Sequence, residues 1–239
     1  MDHRQPIFNV PGVVLALLAS FVAVHLLRWA LPPEESLRLT AMLAFIPARE
    51  TGAAADLPGG DIAAFTSFFT HQFVHGDSTH LIINSAWLLA FGTPVARRTD
   101  WLRFLLFFLM SGAAGALLYL AINGAEQIFV IGASGAISGL MGAAFRFLFK
   151  GMDEGGPRAL ANASAIPLMT LAQTLRDRRI LAAIAGWTVL NFALAWGAAG
   201  LTEAAGIAWE AHLGGFYAGL LLYGFFDNPP RQEDAALAE

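Results

Sequence analysis

The chain has 239 residues, of which 56% are hydrophobic and 13% charged, and its formal net charge is −4. Soluble domains carry about 25% charged residues, so this composition excludes an ordinary water-soluble enzyme and indicates a polytopic membrane protein. The absence of cysteine excludes disulfides and thiolate chemistry, and the absence of a basic stripe gives no basis for nucleic-acid binding.

Six apolar stretches approach the roughly 20 residues that a helix needs to cross a bilayer. They lie at 10–31, 79–96, 104–122, 133–149, 180–199 and 207–226. The first is longer than the apolar core of a signal peptide, which favours a retained span over a cleaved one. The sequence therefore predicts an all-α, polytopic bundle of six transmembrane helices. We expect a membrane domain at 10–226 between polar cytoplasmic tails at 1–9 and 227–239.

Orientation follows from the positions of lysine and arginine, which concentrate on the cytoplasmic side of membrane proteins. With both termini in the cytoplasm, all 14 of these residues except Arg28, Arg38 and Arg49 fall inside. The outer segment 32–77 mixes prolines with apolar clusters, so we expect it to lie in the membrane interface. Segment 150–179 is predicted to be a long inner loop. No mitochondrial-type presequence is visible, which favours a bacterial inner membrane.

The first cluster of polar residues is Gly132-Ala133-Ser134-Gly135, at the outer start of the fourth span. Ser134 would lie in the first turn of a helix, where unpaired N–H groups and the helix dipole favour a developing anion. Gly132 permits a backbone turn that a side chain would block. Serine in a membrane helix also often bonds its own backbone, so this motif alone leaves both interpretations open.

The second cluster surrounds His212 in the sixth span. His212, Gly215 and Gly219 are spaced i, i+3, i+7 and therefore share one helix face. The fourth span has a small face of its own, at Gly135, Gly139 and Gly142. Small residues let helices approach closely in lipid, so packing of these two faces would bring Ser134 to the imidazole of His212. The alternative is a buried histidine bonded to a backbone carbonyl.

The third cluster is His71, His75, His80 and Asn84, around the start of the second span. His80 and Asn84 are spaced i, i+4 and share a face. A metal site is the alternative interpretation, since neutral imidazole is a common ligand. The sequence has no His-Glu-x-x-His motif and no carboxylate embedded in a span, so we expect neither a metal nor another cofactor.

Together the three clusters supply the groups that acyl transfer requires. Ser134 is the candidate nucleophile and His212 the candidate general base. The backbone N–H of Ser134 and the side chains of His80 and Asn84 are candidate oxyanion donors. Glu210 lies two residues from His212 and points to a different face, so a Ser–His dyad is favoured over a triad. A water-accessible site of this kind in the bilayer would act on peptide bonds in or near transmembrane segments.

These motifs resemble those of the rhomboid intramembrane serine proteases of the six-span bacterial type. The motifs are His75-x4-His80-x3-Asn84, Gly132-Ala133-Ser134-Gly135 and His212-x2-Gly215-x3-Gly219, in this order on the second, fourth and sixth spans. The resemblance implies that Ser134 is the nucleophile, that His212 is the base and that His80 and Asn84 assist the oxyanion. It gives His75 a structural role near the site, together with the glycines of the motifs.

The resemblance also implies the partners. Single-span membrane proteins would be the substrates, entering from the lipid bilayer between the second and fifth spans. Trp187 and Phe192 would lie near this gate, beneath a cap at 200–206. Many rhomboids stack an aromatic residue on the catalytic imidazole at the position of Ser138, and many have a Trp-Arg pair in the first outer loop. This sequence has neither, and Arg38 or Arg49 is the candidate replacement for the charge.

Two further functions stay open from the sequence. A non-catalytic rhomboid-like protein would bind or escort membrane segments, and such relatives usually lack the serine or the histidine. A histidine-lined transporter or metal channel would use the imidazoles without the serine. The presence of both Ser134 and His212 favours the protease.

Overall fold

The computed structural model describes residues 10–54, 56–197 and 208–229. Within these ranges the regular elements are helices, and the β contact is an isolated bridge between Phe45 and Val130. The fold is therefore all-α over the described residues, as predicted. The predicted tail at 1–9, the cap at 200–206 and most of the tail at 227–239 lie outside them.

The helices follow the predicted order along the chain. They are α1 Gly12–Ala30, α2 Pro33–Leu43, α3 Pro47–Glu50, α4 Gly60–Thr70, α5 Ser78–Trp87, α6 Thr93–Ala96, α7 Trp101–Asn123, α8 Ser134–Phe145, α9 Leu148–Gly155, α10 Leu171–Thr174, α11 Arg178–Gly197 and α12 Trp209–Leu222. Short 3₁₀ segments lie at His71–Phe73, Gly156–Ala165 and Tyr223–Phe225. Local sequence sets several ends: α1 stops before Pro32-Pro33, and α7 stops at Gly124, whose φ is +56°.

The second predicted span is helical throughout its length but changes its winding. A π-helical stretch at Leu88–Gly92 joins α5 to α6. Pro94 follows this stretch and has no N–H to donate to the preceding turn, which favours a locally wider helix. The chain is therefore helical from residue 78 to residue 96, with no intervening loop.

The fourth predicted span was too long. The sequence predicted 133–149, whereas α8 ends at Phe145 and a separate helix, α9, begins at Leu148. The helix ends where the Arg146 carbonyl accepts from the Met169 N–H at 2.9 Å in place of an N–H further along the helix, and where Phe147 leaves helical geometry to pack in the core. The Arg146 guanidinium also donates to the Met169 carbonyl, at 3.0 and 3.2 Å, so the two segments are held together. The segment 150–179, predicted as a loop, largely forms α9, the 3₁₀ segment Gly156–Ala165 and α10.

Two helices in the described part of the chain, α1 and α7, are long and apolar enough to cross a membrane. The predicted count of six spans is therefore not established by helix length and composition. In particular, α8 has 12 residues and α12 has 14. A 12-residue helix is about 18 Å long, which is less than the ~30 Å of a hydrocarbon core.

The centre of the bundle is formed by α7, α8 and α12, which pack closely through glycine. A Cβ on Gly215 would overlap the carbonyl oxygen of Gly135, and a Cβ on Gly219 would overlap that of Gly139. The glycine faces of α8 and α12 thus meet, backbone against backbone. This contact sets the separation between the start of α8 and the start of α12, where the candidate catalytic residues lie.

Candidate active site

Ser134 is the first residue of α8, and the chain reaches it through a sharp turn at Gly132. Gly132 has a φ of +111°, a conformation that disfavours any side chain. A Cβ at this position would also lie 2.6 Å from Nε2 of His80. The Gly132 N–H donates to the carbonyl of His71 at 3.0 Å. The glycine therefore brings the first turn of α8 against the second span.

His212 lies in the first turn of α12, facing Ser134. Its Nε2 is 2.9 Å from the Ser134 Oγ, within hydrogen-bond distance. Both side chains are partly exposed. The close contact between Gly135 and Gly215 allows this approach, since the serine side chain is short and spans only a small gap. The structure thus brings together the two residues that the sequence motifs singled out.

Asn191, in the middle of α11, is a third member of this network that the sequence analysis did not name. Its Oδ1 is 2.9 Å from Nδ1 of His212, and its Nδ2 donates to the carbonyl of Trp187 at 2.8 Å. The side chain is 1% exposed. The sequence did carry a signal for Asn191, because a strongly polar residue within an apolar stretch is energetically costly and is usually functional.

Glu210 does not contribute to this network. Its Oε1 accepts a hydrogen bond from Nδ2 of Asn123 at 2.9 Å, on the α7 side of α12. The sequence analysis predicted that Glu210 faces away from His212, and this is confirmed. The histidine is contacted by a neutral amide in place of a carboxylate.

His80 and Asn84 lie on one face of α5, beside the turn at Gly132. The Gly76 N–H donates to Nδ1 of His80 at 3.4 Å, which leaves the ring proton on Nε2, the nitrogen that faces Gly132. Asn84 donates one amide hydrogen to the His80 carbonyl at 2.9 Å and has a second available. Both side chains can therefore offer donors beside the start of α8.

The other two members of this cluster, His71 and His75, make different contacts from those of His80 and Asn84. His71 pairs through Nδ1 with the Ser67 carbonyl at 2.7 Å. His75 is fully buried, with its ring 4.9 Å from Phe21 and 5.2 Å from His80, and its carbonyl accepts from Arg28 at 2.6 Å. His75 thus packs behind His80 and fixes the segment that leads into α5.

Two positions at which the sequence departs from the usual rhomboid motifs can now be located. Ser138 donates to the Ser134 carbonyl at 2.7 Å. An aromatic ring lies near His212 from α11: the Trp187 ring centroid is 6.4 Å away, with the planes tilted by 32°. Of the two candidate arginines, Arg38 is exposed. Arg49 donates to the carbonyls of Ala41, Ala44 and Pro58. Of these two arginines, Arg49 is therefore the one that ties parts of the first long connection together.

Comparison with known proteins agrees with these observations. A family model described as "Rhomboid domain" matches residues 63–228, which is more than half of the chain and includes the Ser134–His212 pair, Asn191, His80 and Asn84. A search of curated proteins finds no match. The extent of the domain match, on an all-helical chain with apolar helices, shows that the protein belongs to the rhomboid family and is an integral membrane protein.

Proposed function

We propose that this rhomboid is an intramembrane serine endopeptidase that hydrolyses peptide bonds in or near the transmembrane segments of membrane proteins. The family consists generally of such proteases but includes inactive members. The observation that carries the proposal is the 2.9 Å separation between Ser134 Oγ and His212 Nε2. A protein that only binds membrane segments has no need of a nucleophile in contact with a base.

The mechanism is acyl transfer through a Ser–His pair. His212 Nε2 accepts the hydroxyl proton as Ser134 Oγ bonds to the scissile carbonyl carbon, and then delivers that proton to the leaving amine. A water molecule, deprotonated in turn by His212, hydrolyses the ester on Ser134. The donors for the oxyanion are the Ser134 N–H, His80 Nε2–H and the free amide hydrogen of Asn84. Each such donor typically lowers the barrier by about 3–4 kcal/mol.

The short α8 supports a site below the membrane surface. Ser134 begins a helix of 12 residues, and the preceding residues Val130, Gly132 and Ala133 are buried in the protein. Irregular backbone at membrane depth is tolerated where it is buried in protein or lines a water-filled cavity. We propose six spans in one membrane domain at 10–226, both termini in the cytoplasm, a site open to the opposite side, and a bacterial inner membrane.

Substrate entry between the second and fifth spans fits the surface of these helices. On α5, Ile82 and Ile83 are 65% and 50% exposed, and on α11, Val189 is 65% exposed. Trp187 and Phe192, the predicted gate residues, contact α12 through Phe216 and Trp209 respectively. Lipid-facing surfaces on both sides of the site suit a single-span membrane protein that arrives from the bilayer.

The proposal is tested with purified protein and a generic single-span substrate. We expect the wild type to cleave and to react with a fluorophosphonate probe, and Ser134→Ala to do neither. Ser138→Ala is the matched control, one helical turn further along α8, and we expect it to retain both activities. Cleavage that survives Ser134→Ala but is abolished by EDTA would overturn the serine mechanism in favour of a metal-dependent one.

A further inference from the structure

We propose that Asn191 is a positioning residue that fixes the tautomer of His212, so that the site is a Ser–His–Asn arrangement. This inference rests on the proposed function for its catalytic consequence. The contact itself joins two helices, because Asn191 belongs to α11 and His212 to α12, with 2.9 Å between Oδ1 and Nδ1.

The orientation of the Asn191 amide follows from its other partner. A backbone carbonyl can only accept, so the atom that lies 2.8 Å from the Trp187 carbonyl must be the amide nitrogen. The amide oxygen then faces His212 Nδ1 and can only accept from it. His212 must therefore carry its proton on Nδ1, which leaves the Nε2 lone pair directed at the Ser134 hydroxyl. That is the tautomer a general base requires.

The surroundings of Asn191 disfavour the opposite orientation of its amide. Asn191 is 1% exposed, and its amide bonds both the Trp187 carbonyl and the imidazole. Turning the amide over would set its oxygen against the Trp187 carbonyl oxygen, two acceptors with no proton between them. The tilted ring of Trp187 also restricts the imidazole on this side. A neutral amide holds the histidine without placing an unpaired charge in the membrane, where buried charge is costly.

The neutral amide has a kinetic consequence. A carboxylate at this position would orient the ring and also stabilise the imidazolium that forms when Ser134 attacks, whereas an amide supplies mainly orientation. We therefore expect removal of the amide to lower kcat more than it changes KM. The loss should be about 10- to 100-fold, smaller than the loss from removing a triad carboxylate.

The kinetic test compares Asn191→Leu, which has a similar volume and no acceptor, with Thr188→Val. Thr188 Oγ1 and the Tyr217 hydroxyl lie 2.8 Å apart and form another hydrogen bond between α11 and α12, away from the histidine. We expect Asn191→Leu to lose kcat and Thr188→Val to stay near wild type. Asn191→Asp restores an acceptor for Nδ1–H, so it should be more active than Asn191→Leu and should move the acid limb of the rate profile to higher pH.

A spectroscopic test does not depend on catalysis. In protein labelled with ¹⁵N-histidine, the His212 signals of the wild type should be those of the Nδ1–H tautomer, and Asn191→Leu should shift them toward a tautomer mixture. An unchanged tautomer, equal kcat losses in Asn191→Leu and Thr188→Val, or an Asn191→Asp no better than Asn191→Leu would each overturn the inference. If Ser134→Ala still cleaves while the tautomer shifts as expected, the serine-protease proposal fails and the positioning contact stands.

Discussion

The two ends of the bundle hold their helices together by different chemistry. The serine end, defined by Ser134, His212 and Asn191, is joined by hydrogen bonds between uncharged groups. The arginine end, defined by Arg98 and Asp227, is joined by a bidentate ion pair with two contacts of 2.8 Å, in which Arg98 is 1% exposed. Since α8 and α12 lie between the two ends, an ion pair joins the chain beyond one end of these helices, and bonds between uncharged groups join Ser134, His212 and Asn191 at the other.

The ion pair and the uncharged hydrogen-bond network suit different roles. The Arg98 guanidinium also donates to the carbonyls of Ala163 and Ile166 and lies 4.7 Å from the centre of the Phe147 ring. It therefore fixes the segment after α6 to the segment after α8. A fixed charge of this kind close to His212 would bias the protonation of the imidazole. In the proposed mechanism, hydrogen bonds between uncharged groups place no such charge directly against the imidazole.

The largest expected effect comes from breaking the arginine end. We expect Arg98→Met to lower the free energy of unfolding by about 3–5 kcal/mol, because it removes a buried guanidinium and leaves the Asp227 carboxylate, whose side chain is 9% exposed, without its partner. The matched control is Arg103→Met, whose pair with Asp100 is about half exposed, with 46% and 47% of the side chains accessible. This control should cost about 0–1 kcal/mol.

Denaturant or thermal unfolding in detergent micelles measures both variants. The specific activity of the Arg98→Met molecules that remain folded should stay near wild type, because the serine end is built from other contacts. Equal stability losses in the two variants, or loss of activity from fully folded Arg98→Met, would contradict the division between the ends.

The next effect tests the glycine contact that supports the serine end. Gly215→Val should lower activity by about 10- to 100-fold and stability by about 1–3 kcal/mol, because the new Cβ would overlap the Gly135 carbonyl and push α8 from α12. Gly186→Val on α11 is the control, since a Cβ there meets nothing within 4 Å. Full cleavage activity in Gly215→Val, measured on the same single-span substrate, would show that close packing is not needed for the Ser134–His212 contact.

Much of this architecture could be predicted from the sequence because it depends on local patterns. Apolar length located α1 and α7 to within three residues at each end, with Gly12–Ala30 against 10–31 and Trp101–Asn123 against 104–122. The glycine spacing predicted which faces of the fourth and sixth spans meet, since small residues three and four apart leave a groove on one side of a helix.

The remainder depends on contacts between distant segments. Hydropathy carried the fourth predicted span to residue 149 because Phe147, Leu148 and Phe149 are apolar, but the helix ends where the Met169 N–H donates to the Arg146 carbonyl. The role of Asn191 depends on how α11 lies against α12, and a single helix pattern does not specify that position. Polarity within the fifth span could have marked Asn191 as a candidate, but not as the partner of His212.

The smallest effect compares two helix caps, one at each end of the bundle. Asp77 accepts from the His80 N–H at 2.8 Å and begins α5, while Asp100 accepts from the Arg103 N–H at 2.9 Å and begins α7. Replacing either cap by alanine should cost about 1 kcal/mol of stability. Asp77→Ala should also lower kcat severalfold, because its cap positions His80 beside the turn at Gly132, whereas Asp100→Ala should leave kcat unchanged.

The Asp77 cap also predicts a dependence on pH. The hydrogen bond from the His80 backbone holds the pKa of the Asp77 carboxyl below its usual value. A depressed pKa in the folded state means that the cap stabilises fully above the unfolded value, near 3.9, and is lost as pH falls through the lower folded value. The stability difference between wild type and Asp77→Ala should therefore shrink below about pH 4. A stability difference that is constant from pH 7 to pH 3 would show that the carboxylate does not cap α5. Equal kcat in Asp77→Ala and Asp100→Ala would show that the Asp77 cap does not position His80 for catalysis.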